Sequence, residues 1–162
     1  MTLDEITRTG INPALAMLPG HMDSLQARVM LLAIGLQESR FEHRRQMGNG
    51  PARGFWQFEQ GGGVKGCVRH AASAPYLRQL CTARGVQFDA PSIWRAIEHD
   101  DVLAAGLARL LLFTDPYKLP AVTDQGGAWE LYADRCWRPG QPHPETWPKY
   151  HAQARAFVVG VA

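Results

Sequence analysis

Apolar side chains recur at helical spacing along most of the chain. Between residues 23 and 39 they follow the i, i+4, i+7, i+11 stripe of an α-helix. The stripe consists of Leu25, Val29, Leu32 and Leu36. Apolar residues fill most of the remaining faces, which predicts a helix buried on nearly all sides. Asp23, with Gln26 three residues later, predicts a capping box at its start.

The same periodicity predicts further helices downstream, over residues 75–84, 92–98, 100–113, 124–137 and 145–159. Gly85 is a candidate C-cap for the first of them. Asp100, Asp101 and Asp124 stand at predicted helix starts, where a carboxylate accepts bonds from free backbone amides. These end signals agree with the periodicity and strengthen the helix assignments.

Residues 48–66 differ in kind because glycines and Pro51 interrupt any regular element. We expect a structured Gly-rich loop here, with one short strand near residues 55–58. No pair of alternating strands, no internal repeat and no long linker is evident elsewhere. The sequence therefore predicts a mainly α fold in which residues 1–162 form one domain.

Composition and charge exclude several classes of function. The chain is 46% hydrophobic and 20% charged, as folded domains usually are. Its 17 Lys and Arg against 15 Asp and Glu give a net charge of +2, too balanced for binding that neutralises phosphates, so no nucleic-acid partner is expected. The longest apolar run, residues 29–36, is much shorter than the roughly 20 residues of a transmembrane helix, so no membrane span is expected.

No metal or cofactor is expected either. Cys67 and His70 provide only two ligands at metal-binding spacing, and Cys81 and Cys136 are too isolated to be predicted as the other two. The acidic N-terminus does not resemble a signal peptide, so we expect synthesis in the cytoplasm and three reduced thiols.

Glu38 is the strongest candidate for catalysis. It ends the buried helix, where desolvation and the partial negative charge of the last carbonyls both disfavour an ionised carboxylate. Both effects raise its pKa, and a carboxyl that stays protonated near neutral pH can act as a general acid on a glycosidic oxygen. An ordinary exposed Glu just beyond a buried helix is the alternative interpretation.

Three short motifs carry a resemblance to a known family. They are Glu38-Ser39, Gly54-Phe55-Trp56-Gln57 and Tyr132. With Gln57 nineteen positions after Glu38, the sequence resembles the catalytic domain of lytic transglycosylases and goose-type lysozymes. Its segment 129–147 is similar to small phage-encoded members. Trp56 and Ala133 depart from the family pattern, which usually has Met before the Gln and often Asn after the Tyr.

The resemblance implies a lysozyme-like fold with a Gly-rich loop or short β segment beside a cleft. It implies cleavage of the β-1,4 bond between N-acetylmuramic acid and N-acetylglucosamine in peptidoglycan, with Glu38 as the sole catalytic acid and 1,6-anhydro ends as products. No metal or cofactor takes part. The substrate-binding candidates are Ser39, Gly54, Trp56, Gln57, Glu59 and Tyr132.

Two other functions stay open at this point. If Glu59 faces Glu38 it could activate water, and the protein would be a hydrolase such as a lysozyme; a surface charge on the loop is the simpler interpretation of Glu59. The departures at Trp56 and Ala133 are compatible with a virion structural protein that has lost catalysis.

The expected partner is the peptidoglycan glycan strand, contacted by a monomer, with other virion proteins as further partners if the chain is part of a phage particle. Since no export signal is predicted, action on the bacterial cell wall would require delivery in a virion or release as a lysis protein.

Overall fold

A computed structural model describes residues 1–160, so the last two residues of the predicted domain lie outside the described part. Within it the chain is mainly helical, as predicted. The N-terminal part contains α1 (Leu3–Ile6), a π-helical turn (Thr7–Ile11), α2 (Asn12–Ala16), a 3-10 turn (Gly20–Met22) and α3 (Leu25–Ser39). The helical stretch before α3 was not predicted, although the capping box of Thr2 and Glu5 marks its start.

The second half begins with another π-helical turn (Gln60–Val64). It is followed by α4 (Lys65–Arg69), α5 (Ala74–Arg84), α6 (Ala90–Ala96) and α7 (Asp101–Phe113). Next come α8 (Gln125–Trp129), a third π-helical turn (Glu130–Cys136) and α9 (Trp147–Val159). The predicted caps Gly85, Asp100 and Asp124 are confirmed, Gly85 by its left-handed φ of 68° and the two aspartates by bonds of 2.9 Å from backbone amides. Asp101 is not a cap; it is the first residue of α7 and pairs with Arg44 at 2.7 Å.

Helix α3 lies at the centre of the fold and packs against α9 and α7. Its residues are buried on nearly all faces, which confirms the prediction. Its predicted capping box at Asp23 is wrong. Ser24 has the extended backbone of an N-cap and accepts a bond of 3.1 Å from the amide of Ala27, whereas Asp23 pairs with Arg28 at 2.8 Å.

The strand predicted near residues 55–58 does not form. Instead the chain makes a tight turn, closed by two bonds of 2.9 Å between the backbones of Arg53 and Phe58. Gly54 at φ 74° and Gln57 at φ 52° reverse the chain, and a strand cannot contain such residues. The Gly-rich loop is also shorter than predicted, since Gly61–Gly63 belong to the π-helical turn.

The end of α3 is fixed by a close approach at Gly35. Beyond the helix, Arg40 and Phe41 both adopt left-handed φ values, 54° and 55°, which fold the Phe41 ring back onto α3. A β-carbon at Gly35 would overlap this ring. The ring is fully buried and packs edge-on against Phe55 and Trp56, so it has little freedom to move away.

We therefore expect Gly35→Ala to lower the free energy of unfolding by about 1–3 kcal/mol, the usual cost of overpacking a core. Urea denaturation measures the effect. Gly66→Ala in α4 is the matched control, because Gly66 is exposed and an added β-carbon meets no atom within 4 Å. It should be neutral or stabilise by up to about 1 kcal/mol. Equal stability of the two variants would contradict the close approach.

Candidate active site

A cleft of about 630 Å³ opens at the C-terminal end of α3. Its walls come from the end of α3, the loop after it, the turn at residues 54–59 and the segment that follows α8. Four of the predicted site residues line it together, although they are far apart in sequence: Glu38, Gln57, Glu59 and Tyr132. The volume lies within the range of small-molecule sites.

Glu38 is half-buried in this cleft and accepts a hydrogen bond of 2.7 Å from the Tyr132 hydroxyl to its Oε1. Burial raises the pKa of Glu38 to about 7, while the Tyr132 bond and nearby His143 act in the opposite direction. Near neutral pH both the protonated and the ionised forms are populated. Such a group can both donate and accept a proton.

Tyr132 is held rigidly by aromatic neighbours. Its ring stacks parallel to Trp147, with centroids 5.1 Å apart and an interplanar angle of 3°, and Trp129 packs edge-on at 5.6 Å. Burial and the adjacent carboxylate raise the pKa of Tyr132 far above its ordinary value, so its hydroxyl stays protonated as a donor. Tyr132 lies in the Glu130–Cys136 π-helical turn, a type of helix irregularity that is frequent at functional sites.

Trp56, predicted to bind substrate, does not reach the cleft. It is fully buried, and its indole N–H donates to the carbonyl of Leu31 on α3 at 2.8 Å. Its own carbonyl accepts a bond of 2.9 Å from the indole of Trp137, which does line the cleft. The aromatic residue that this turn presents to the cleft is Phe58, 5.5 Å from the Trp137 ring. Trp56 therefore anchors the cleft wall.

Ser39 and Gly54, the other predicted binding residues, also lie behind the cleft. The Ser39 hydroxyl is buried, donates to the carbonyl of Phe55 at 2.6 Å and accepts from the amide of Phe41 at 3.1 Å. Gly54 is buried against the carbonyl of Ile97, which would lie 2.7 Å from an added β-carbon. Both residues join the turn at 54–59 to its neighbours, and neither faces a ligand.

Gln57 and Glu59 do face the cleft. The Gln57 amide donates to the carbonyl of Gly54 at 2.8 Å, which fixes the side chain and leaves its Oε1 without a partner among residues 1–160. Glu59 is exposed and makes no ion pair with any described residue. The cleft thus contains a second carboxylate besides Glu38.

Gln37 was missed by the sequence analysis. Its amide donates to the carbonyl of His143 at 2.9 Å and its Oε1 accepts from Thr146 at 3.0 Å, so it ties the loop before α9 to α3. The only sequence signal is a polar residue in an apolar helix, directly before Glu38. Trp137 lines the cleft, whereas Trp147 is buried.

The chain matches no protein-family model, no curated protein and no solved structure. Among residues 1–160 no three His, Cys, Asp or Glu side chains cluster as metal ligands. Within the same range no helix is long and apolar enough to cross a membrane. The function therefore has to be inferred from the cleft itself.

The raised pKa of Glu38 predicts how stability depends on pH. Between its ordinary value of 4.5 and the folded value of about 7, the unfolded chain loses a proton that the folded chain keeps. The free energy of unfolding then falls as pH rises through this window. Glu38→Gln removes the free-energy cost of ionising a buried carboxyl. It should therefore stabilise the protein by about 1–3 kcal/mol at pH 8 but have little effect at pH 4.5.

Thermal unfolding of both proteins across this pH range measures the effect. Glu59→Gln, an exposed carboxylate in the same cleft, is the matched control and should change the stability little. A difference between wild type and Glu38→Gln that stays constant with pH would refute the raised pKa.

Proposed function

We propose that this protein is a peptidoglycan-cleaving lytic transglycosylase in which Glu38 is the single catalytic acid and base. The observation that carries the proposal is the pairing of Glu38 with Tyr132 at 2.7 Å in an open cleft, with burial raising the pKa of Glu38 to about 7. The family resemblance also supports it, because Gln57 and Tyr132 of the other two motifs line the same cleft as Glu38.

In the proposed reaction, protonated Glu38 donates its proton to the oxygen that links C1 of N-acetylmuramic acid to N-acetylglucosamine. The bond from C1 to that oxygen breaks, and positive charge develops at C1. The Glu38 carboxylate then removes the proton from the 6-hydroxyl of the same muramoyl sugar. That oxygen bonds to C1 and closes the 1,6-anhydro ring, so Glu38 is protonated again and no water is consumed.

A carboxyl with a pKa near 7 suits both halves of this cycle, because it gives up and regains a proton at small cost. The Tyr132 bond favours the ionised form and fixes the carboxyl's orientation. In this proposal the Oε1 of Gln57 accepts a bond from the glycan, and the partly exposed ring of Trp137, backed by buried Phe58, offers apolar surface to a sugar ring.

Glu59 supports a second candidate, a hydrolase on the same cleft. Because it lines the cleft with Glu38 and has no ion-pair partner among the described residues, it could activate water to attack C1. The products would then carry reducing ends. The two reactions share Glu38 as the acid and differ in the nucleophile.

Mass spectrometry of fragments from purified sacculi distinguishes the transglycosylase reaction from the hydrolase reaction. Wild type should release anhydro-muramoyl ends, and Glu38→Gln should reduce their yield at least about 100-fold, the scale of general acid catalysis, while remaining folded. Glu59→Gln is the matched variant and should keep most of the activity. Reducing ends that disappear in Glu59→Gln would favour the hydrolase. Cleavage retained by Glu38→Gln would contradict both reactions.

Tyr132→Phe should lower the rate by roughly 10- to 100-fold, since the acid loses its fixed orientation. It should also move the alkaline limb of the pH–rate profile to higher pH, because the lost bond no longer favours ionised Glu38. Tyr150→Phe is the control, a half-buried tyrosine on α9 whose hydroxyl makes no bond to Glu38. A lower rate with an unmoved alkaline limb would mean that Tyr132 is only structural.

A further inference from the structure

A second cavity, of about 750 Å³, lies beyond the end of α7. Leu111 lines the cleft, whereas the next two residues, Leu112 and Phe113, line this second cavity. The two openings are therefore on different faces of the same helix end. Leu119 extends the apolar part of the wall, and Arg109 forms part of the wall as well.

Arg109 is a buried cation with few partners. It is 5% exposed, and its Nε donates to the carbonyl of Met22 at 2.8 Å. Its Nη1 is closed off from solvent and has no acceptor among residues 1–160. Burial lowers the pKa of Arg109 to about 10, so it still carries its charge at neutral pH. A guanidinium offers five N–H donors, and a buried charge without a counter-ion is costly.

The nearby carboxylates compensate this charge only in part: Asp23 attracts the Arg109 guanidinium but makes no hydrogen bond to it. Asp23 is engaged by Arg28 at 2.8 Å, and Asp115, which lines the cavity, is engaged by Arg135 at 2.9 Å. Lys118 lines the cavity too, is exposed, and makes no ion pair among the described residues. The cavity wall therefore keeps an excess of positive charge.

A further donor stands at the same cavity. The Nδ1 of His70 accepts a bond of 3.0 Å from the amide of Ala72, which places the proton of the neutral ring on Nε2. The wall combines a buried guanidinium, a lysine and an imidazole donor with a leucine and phenylalanine surface. A guanidinium N–H donates a charge-assisted bond to a carboxylate or phosphate oxygen, and the apolar surface suits a hydrocarbon or aromatic group.

We propose that this cavity binds an oxyanion carried on an apolar body, with Arg109 as the anchor of the carboxylate or phosphate group. The ligand supplies negative charge next to Arg109, because the neighbouring aspartates pair mainly with other arginines. The inference is independent of the reaction assigned to the cleft, since it uses none of the cleft residues.

The test is an NMR titration of the backbone amides with three probes. N-acetylphenylalanine carries a carboxylate, phenyl phosphate carries a phosphate, and N-acetylphenylalanine amide is the neutral match. At least one of the two anions should show saturable binding. Its dissociation constant should be about tenfold or more lower than that of the amide, because only the anion can form a charge-assisted bond. The largest shifts should fall on Arg109, Leu112, Phe113 and Leu119, while Gln57 and Glu59 stay unmoved. Which anion binds more tightly identifies the headgroup.

Arg109→Met keeps the length of the side chain but removes its charge, and should weaken anion binding about tenfold or more. Lys118→Met, at the exposed edge, should weaken it only a few-fold. If Arg109→Met does not fold, Arg109→Lys, which keeps the charge without the fork, should weaken binding several-fold. The proposal is overturned if neither anion saturates, if the amide binds as tightly, or if the shifts centre on the cleft.

Discussion

The hydrogen bond from Tyr132 to Glu38 joins two helical elements that are 94 positions apart in the sequence, and the rest of the cleft is arranged around it. Each group needs the other, because a buried phenol requires an acceptor and a desolvated carboxyl requires a donor. Tyr132 stacks on Trp147 of α9, and α9 packs on α3, the helix that ends in Glu38. These contacts, which lead from Glu38 through Tyr132, Trp147 and α9 back to α3, fix the carboxyl at the edge of an otherwise apolar core.

The backbone around the cleft is under strain in several places. The non-glycine residues with left-handed φ in the described chain are Arg40, Phe41, Asn49, Gln57 and Arg138. All belong to segments that border the cleft, and each such conformation costs on the order of 1 kcal/mol. Strain persists only where the surroundings hold it, here through the Phe41 ring against Gly35 and the buried Ser39 hydroxyl. Like the disfavoured ionisation of Glu38, this strain lowers the stability of the fold, and such strain clusters at functional sites in proteins generally.

Sequence patterns predicted most of the helices and the raised pKa of Glu38, but of the six predicted binding residues only Gln57, Glu59 and Tyr132 face the cleft. The apolar run before Glu38 implies desolvation, and desolvation alone sets the direction of its pKa shift. Trp56 and Ser39 could not be assigned in the same way. Their orientation depends on paired left-handed residues after α3 and on an indole bond to Leu31, 25 positions away, and neither leaves a local pattern. The π-helical turn that presents Tyr132 could not be predicted from the sequence either, since its residues have ordinary helical periodicity.

Each of the two cavities contains a buried ionisable group, an acid in the cleft and a base in the second cavity. Burial penalises the charge of Glu38 in the cleft and of Arg109 in the second cavity. A carboxyl relieves the penalty by taking up a proton near neutral pH, and this exchange is what makes it useful as an acid and base. A guanidinium cannot do the same, because its pKa stays near 10 even after burial. Its remaining means of relief is a counter-ion, which the neighbouring aspartates provide only in part because they pair with other arginines. The same desolvation therefore underlies both proposals, proton transfer by Glu38 in the cleft and anion binding by Arg109 in the second cavity.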